Sequence, residues 1–241
     1  MNSGPVMHFV AAPPVVELAP TEVLGDLNEI ERKNAPAALY LAGNPDLLTA
    51  GRRVSVVGSR EASDEGLARA RSLSRTLVKR GFIVVSGLAA GIDTAAHLAA
   101  LEAGGRTIAV LGTPLDDFYP RENEALQRRL MREQLVVSQF PSGYPSAPRN
   151  FPMRNRTMAL LSDATVIVEA GDKSGTLHQG WEALRLGRPL FLMESVARDP
   201  SLRWPAEMIR YGAQMLSREN LEHCLDEIPA LTVGGDVAAE A

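Results

Sequence analysis

Through the middle of this 241-residue chain, apolar runs of strand length alternate with amphipathic stretches of helical length. The strand-like runs fall at 54–57, 82–85, 107–111, 135–137, 165–168 and 189–193. Between most of them lie stretches with helical periodicity, at 64–80, 91–103, 122–133, 155–161 and 175–186. A strand, a helix and a further strand in regular succession predict parallel pairing with helices covering the sheet. The runs are apolar throughout rather than alternating, which predicts burial on both faces. The expected fold is therefore α/β: a doubly wound, mostly parallel sheet, extended Rossmann-like, in three layers. Its expected limits are 50–217. Residues 1–49 read as an N-terminal arm with a short helical and extended lead-in, and 218–241 as a C-terminal helix and frayed tail. Within WPAEMIRYGAQML, the spacing of Trp204, Met208 and Tyr211 predicts core packing.

Composition narrows the function classes. At 45% hydrophobic, the chain can bury one sizeable core. The net charge of −4 argues against a surface coated with non-specific nucleic-acid affinity, yet allows a focused basic groove. A single cysteine, Cys224, excludes an internal disulfide framework and fits a reducing cytosol. The four histidines are spread out, and no metal-ligand constellation or cofactor is expected. No apolar run is long enough to span a bilayer, and Pro13 and Pro14 break the N-terminal apolar stretch, so neither a membrane anchor nor a signal peptide is expected.

On a doubly wound sheet, ligands bind beyond the carboxyl ends of the strands. After the first strand comes Gly58-Ser59-Arg60, without the GxGxxG of dinucleotide enzymes; Arg60 can fork onto a phosphate, or simply be a solvated arginine. After the second comes SGLAAGID, where Ser86, Gly87, Gly91 and Asp93 shape a Gly-rich helix start suited to an anion, although glycine there can serve packing alone. His97, in an Ala/Leu-rich helix, is expected to be packed and hydrogen-bonded rather than a general base. The loop LGTPLDDFYP follows the third strand, with Asn123 expected near the next helix start. Phe140 and Tyr144 can pack or stack.

The densest signal is the run NFPMRNRTMALLSDATVIVEA. Phe151, Arg154, Asn155 and Arg156 lie in a stretch, 141–162, without one Asp or Glu. Such a basic island with an aromatic in it, on an acidic protein, points to a polyanion site. The helix is expected to begin near Asn155, which would place both arginines at its start, with no acid nearby to pair them. After the fifth strand, Lys173, Ser174, Gly175 and Thr176 form another candidate anion cradle. Glu169 can hold a ribose hydroxyl, a base edge or an arginine.

Taken together, GSREAS, SGLAAGIDTAAH, TIAVLG followed by YP, FPMRNR, LSDATVIVEA and SGTL, in this order, resemble the DNA-processing protein A (DprA/Smf) family. The resemblance runs from about residue 35 to 193. It implies a cytoplasmic single-stranded DNA-binding protein, without catalytic residues, acting in natural transformation and in loading the bacterial recombinase. It also implies a homodimer. By motif, Arg60 would contact a phosphate, with Gly58 and Ser59 shaping its loop. The Ser86–Asp93 loop would line the pocket. Phe151, Arg154, Asn155 and Arg156 would hold backbone and bases, opposite Lys173 and Ser174.

The chain also departs from that pattern. Glu65 stands where the family has an aromatic before Gly66, and 241 residues leave little room for the accessory domains of many members. The GTLHQGWEALRLGRPLFLMES segment looks partly like the lonely-guy-type phosphoribohydrolases of the same superfamily, whose motif is GGxGTxxE. Gln179 occupies the position of their glutamate, and an amide cannot act as general acid or base near neutral pH. The alternative expectation is therefore a nucleotide sensor, or such a hydrolase if Glu182 or Glu169 substitutes.

Overall fold

A computed structural model describes residues 14–229. Strand β1 (Val15–Leu18) leads through α1 (Pro20–Leu24) and α2 (Glu29–Asn34) to β2 (Leu39–Gly43). There follow β3 (Arg53–Gly58), α3 (Asp64–Lys79), β4 (Ile83–Ser86), α4 (Ile92–Glu102) and β5 (Thr107–Leu111). Next come α5 (Glu124–Glu133), β6 (Leu135–Ser138), α6 (Asn150–Leu160), β7 (Ala164–Glu169) and α7 (Thr176–Arg185). The chain then forms β8 (Leu190–Met193), α8 (Glu194–Ala197), α9 (Trp204–Arg210), β9 (Gln214–Leu216) and α10 (Leu221–Asp226).

These strands form one sheet in the order β1-β2-β6-β5-β4-β3-β7-β8-β9. From β6 to β9 every neighbouring pair is parallel, while β2 runs antiparallel to both β6 and β1. The chain winds outward from β3 through β4 and β5 to β6. Helix α6 then carries it back to β7, on the other side of β3. The winding direction reverses between β3 and β7, so a crevice opens beyond their carboxyl ends.

Side-chain alternation along the buried strands feeds two helical layers. On one face Val57, Ile83, Val85 and Val110 pack with Met158 of α6 and Ala183 of α7. On the other, Val54, Val56 and Val84 meet Leu73 and Leu77 of α3 and Ala96 and Ala100 of α4. Helix α5 covers Ala109, Leu111 and Val136 through Leu130 and Met131. The fold is the expected three-layer α/β sandwich.

Three details differ from expectation. Residues 15–18 and 39–43, expected as a lead-in, add two strands to the sheet, because β2 pairs with the otherwise open edge of β6. Helix α6 starts at Asn150 rather than near Asn155. Pro152 lies in its first turn, where a missing N–H costs nothing because it would have had no intrahelical acceptor. Within the C-terminal stretch Trp204 and Met208 are buried, but Tyr211 is 66% exposed just past the end of α9. The arm before residue 14 and the tail from 230 lie outside the described residues.

The starts of β3 and β7 are clamped by a buried pair. Arg53 donates from its backbone N (2.5 Å) and Nε (3.3 Å) to Asp163 Oδ2, and Asp163 N donates to the Arg53 carbonyl at 2.8 Å. Between α4 and β5, His97 Nδ1 lies 2.7 Å from Thr107 Oγ1, whose hydroxyl donates to the Val84 carbonyl. The imidazole is fully enclosed. Burial first, and then the charge of Arg154, hold its pKa down at about 3 against an ordinary 6.5.

The unfolded imidazole therefore takes up a proton below pH ~6.5 that the folded one refuses until about 3. Over that window the unfolded state binds more protons, so stability falls with falling pH, by up to ~1.4 kcal/mol per pH unit from this residue. Urea unfolding at several pH values between 7 and 4.5 is expected to give a shallower slope for His97→Gln than for the native chain. Equal slopes would contradict the assignment.

Candidate functional site

At the crevice, the sequence FPMRNR becomes a helix that reaches under the sheet's carboxyl ends. Arg154 is buried. Its Nη1 donates to the Gly87 carbonyl (2.5 Å) and the Val110 carbonyl (2.7 Å), while Nε donates to Asn155 Oδ1 (3.0 Å). Asn155 Nδ2 in turn donates to the Gly175 carbonyl at 3.1 Å, and Thr176 Oγ1 to the Gly58 carbonyl at 3.0 Å. One Arg-Asn pair thus joins the ends of β4 and β5 to the loop after β7, and Thr176 ties that loop to the end of β3.

The Gly-rich loop after β4 is shaped by the same cation. A Cβ on Gly87 would lie 1.7 Å from Arg154 Nη1, so only glycine lets the guanidinium reach the strand ends. Gly91 adopts φ +75°, and a Cβ there would meet the Ser59 carbonyl at 2.3 Å. The loop's amides already hold an anion belonging to the chain: Gly87 N and Ala89 N point to Asp93 Oδ2, at 3.1 and 3.4 Å. Burial raises the Asp93 pKa, and Arg154 opposes the rise. Burial also lowers the Arg154 pKa; Asp93 counters this, and the charge of Arg60 adds to it. Asn123 Nδ2 holds the loop from the far side through the Leu88 carbonyl (2.8 Å) and Thr94 Oγ1 (2.8 Å).

Above this floor lies a pocket of about 540 Å³. The loop after β3 lines one wall with Gly58, Ser59 and Arg60; the loop after β7 lines the other with Lys173, Ser174, Gly175 and Thr176. Phe151, Arg154 and Asn155 come from α6, and Asp93 reaches it from α4. The Arg60 guanidinium sits 5.1 Å from the centroid of the Phe151 ring, an attractive cation–π geometry. Among the described residues neither Arg60 nor Lys173 has an ion-pair partner, so both exposed cations remain available to an anion.

The family model for DNA recombination-mediator protein A matches residues 21–229. The chain belongs to the DNA recombination-mediator protein A (DprA/Smf) family. Among its relatives, the DNA processing protein DprA of Bacillus subtilis is 33% identical over 198 residues, 82% of this chain and 66% of that protein. The chain spans between 52% and 67% of the lengths of the first three curated relatives. The structure of DprA from Streptococcus pneumoniae superposes with a TM-score of 0.76 at 35% identity, over 89% of this chain and 75% of that one. DprA from Helicobacter pylori, whose structure concerns its single-stranded DNA binding mode, gives 0.74 at 26% identity, over 89% and 97%.

Within this family fold, the residues singled out from sequence separate into three groups. Gly58, Ser59, Arg60, Phe151, Arg154, Asn155, Lys173, Ser174, Gly175, Thr176 and Asp93 converge on the pocket. Ser86, Gly87 and Gly91 support it from outside that lining: Ser86 Oγ donates to the Val56 carbonyl at 2.7 Å, and the glycines permit close approach. Arg156 points elsewhere. It is half exposed and paired with Glu182 at 3.0 Å, contrary to the expectation that no acid stands near. The acid comes from α7, distant in sequence and adjacent in space.

The carboxylates considered for hydrolysis are engaged in structural contacts. Glu182 binds Arg156 and Arg185. Glu169 accepts from Ser63 N (2.8 Å) and Ser63 Oγ (2.5 Å) and pairs with Arg69 at 3.4 Å. The buried Gln179 amide donates to the Asn155 carbonyl at 2.6 Å and accepts from Thr165 Oγ1 at 3.3 Å. Phe140 is buried and packs on Tyr144, with ring centroids 5.0 Å apart. Tyr119 and Asn123, at the pocket's edge and beneath it, were not singled out as site residues from sequence; the adjacent YP signal is where they could have been found. Among the described residues, no helix is long and apolar enough to cross a membrane, and no cluster of three metal-ligating side chains occurs.

Arg154→Met keeps the side chain's length but leaves Asp93 buried without its countercharge. It also strips the hydrogen bonds to the Gly87 and Val110 carbonyls and to Asn155 Oδ1, and losing a hydrogen bond to a charged group costs ~1.5–3 kcal/mol. Urea denaturation is expected to show a loss of that order for Arg154→Met, and a smaller loss for Arg154→Met combined with Asp93→Asn than the two single losses added. Strict additivity would mean that the two groups are not coupled.

Proposed function

We propose that this chain binds single-stranded DNA in the pocket between β3 and β7. The observation that carries the reading is the meeting of two exposed cations without an ion-pair partner among the described residues, Arg60 and Lys173, with a half-buried ring, Phe151, in one pocket. Phosphates meet the cations and a base meets the ring, a combination that tolerates any sequence. The solved Helicobacter pylori relative, described by its single-stranded DNA binding mode, supports the same substrate class. The chain acts by binding rather than catalysis: Gln179 is committed to backbone and threonine, and Glu169 and Glu182 are held by hydroxyl and guanidinium groups. The proposal extends to a role in DNA uptake during natural transformation and in loading the bacterial recombinase, as a cytoplasmic homodimer, a reading that membership of the family supports.

Affinity that rests on phosphate contacts falls as salt rises, with a slope of roughly −0.7 per neutralised phosphate on a single strand. Fluorescence polarisation with a labelled oligothymidine is expected to show salt-sensitive binding, weaker for a duplex of equal length. Arg60→Ala and Lys173→Ala should each flatten the salt slope by about one contact. Phe151→Ala should cost ~1–3 kcal/mol with the slope retained. Arg156→Ala, outside the pocket and paired with Glu182, should leave the slope intact. If the native chain fails to bind oligothymidine at low salt, the reading is wrong.

A further inference from the structure

A second, smaller cavity of about 170 Å³ adjoins the main pocket. Arg60, Ala89, Phe151 and Arg154 line both cavities and form the boundary between them. The far side of the smaller cavity is Tyr119 and Pro120, from the loop after β5, and its floor is Gly87, Ala89, Ala90 and Gly112. No acidic residue lines it. Tyr119 is 47% exposed, and its ring lies 5.4 Å from that of Phe151 at an angle of 47°. The two rings therefore open as a wedge rather than closing as a stack.

We propose that this cavity is a subsite for the neighbouring nucleobase of the same strand, with Tyr119 as its stacking platform. The inference rests on the reading that the main pocket binds single-stranded DNA. A volume of about 170 Å³ admits one base. The shared wall sets the order: Arg60 lines both cavities and can hold the phosphate that links the two nucleotides, while the Phe151 ring borders each. Ring walls and a glycine-alanine floor offer flat apolar contact to a base, and stacking of this kind requires no particular sequence.

The floor is preorganised. Leu88 takes the left-handed φ of +56° in a non-glycine residue, a conformation that persists only where surroundings enforce it. Here Asn123 holds the Leu88 carbonyl, and Asp93 holds the flanking amides of Gly87 and Ala89. The loop is therefore set before any strand arrives, which reduces the ordering cost of binding.

The test is isothermal titration of the full chain with 5′-phosphorylated thymidylates of one, two, three and six nucleotides. The native chain is expected to gain affinity sharply from one nucleotide to two. In Tyr119→Ala that gain should shrink about 5- to 150-fold, the range one base–aromatic stack supplies, and Tyr119→Phe should restore it. Ala90→Leu, which fills the cavity and leaves Tyr119 in place, should shrink the same gain. A gain that survives both Tyr119→Ala and Ala90→Leu overturns the subsite. Equal losses for the mononucleotide and the longer ligands also overturn it, because Tyr119 would then only prop Phe151. Absence of binding at every length in the native chain would defeat the single-stranded DNA reading itself, and the subsite with it.

Discussion

The site depends on one buried guanidinium. Arg154 reaches from α6 to the carbonyls that end β4 and β5, and its neighbour Asn155 reaches the loop after β7. An arginine in a dry environment persists only if its donors are satisfied and its charge is answered. Carbonyls and an amide oxygen satisfy the first condition, and Asp93 the second. Gly87 follows from the same requirement, since any side chain there would occupy the guanidinium's place. Several small residues in the sequence thus answer to one large buried one.

This arrangement divides the basic residues by burial. Arg154 is structural in its hydrogen bonds yet still charges the pocket floor. Arg60 and Lys173 stand exposed at the walls without an ion-pair partner among the described residues, while Arg156, the most conspicuous neighbour in sequence, is neutralised by Glu182. A protein with a net charge of −4 can therefore present a local positive field to a polyanion. The sheet's switch point brings the exposed cations together: Arg60 follows β3, Lys173 follows β7, and those strands are neighbours although far apart in sequence.

The central sheet was legible because its strands are buried on both faces and so read as continuous apolar runs. Val54 to Val57 and Thr165 to Val168 are examples. The edges were not. Strand β1 exposes Val15 and Val16, and β9 has three residues, so neither carries a buried-strand signature. The loops of the site were legible because a doubly wound sheet places ligands at strand ends. What escaped sequence reading was orientation on α6. Placing the helix start near Asn155 rather than at Asn150 hid the fact that Arg154 turns inward and Arg156 outward. Tyr119 and Asn123 escaped for another reason: their roles arise from α6 and the Gly87–Ala89 loop packing against them, contacts remote in sequence.

The most direct measurement is photocrosslinking of the native chain to an oligonucleotide carrying 4-thiothymidine, followed by mapping of the adducts by mass spectrometry. The account predicts adducts on the loops at 58–61 and 171–176 and on the start of α6, around Phe151. Adducts absent from all three segments and concentrated elsewhere, for example on the exposed end of α9 near Tyr211, would contradict it.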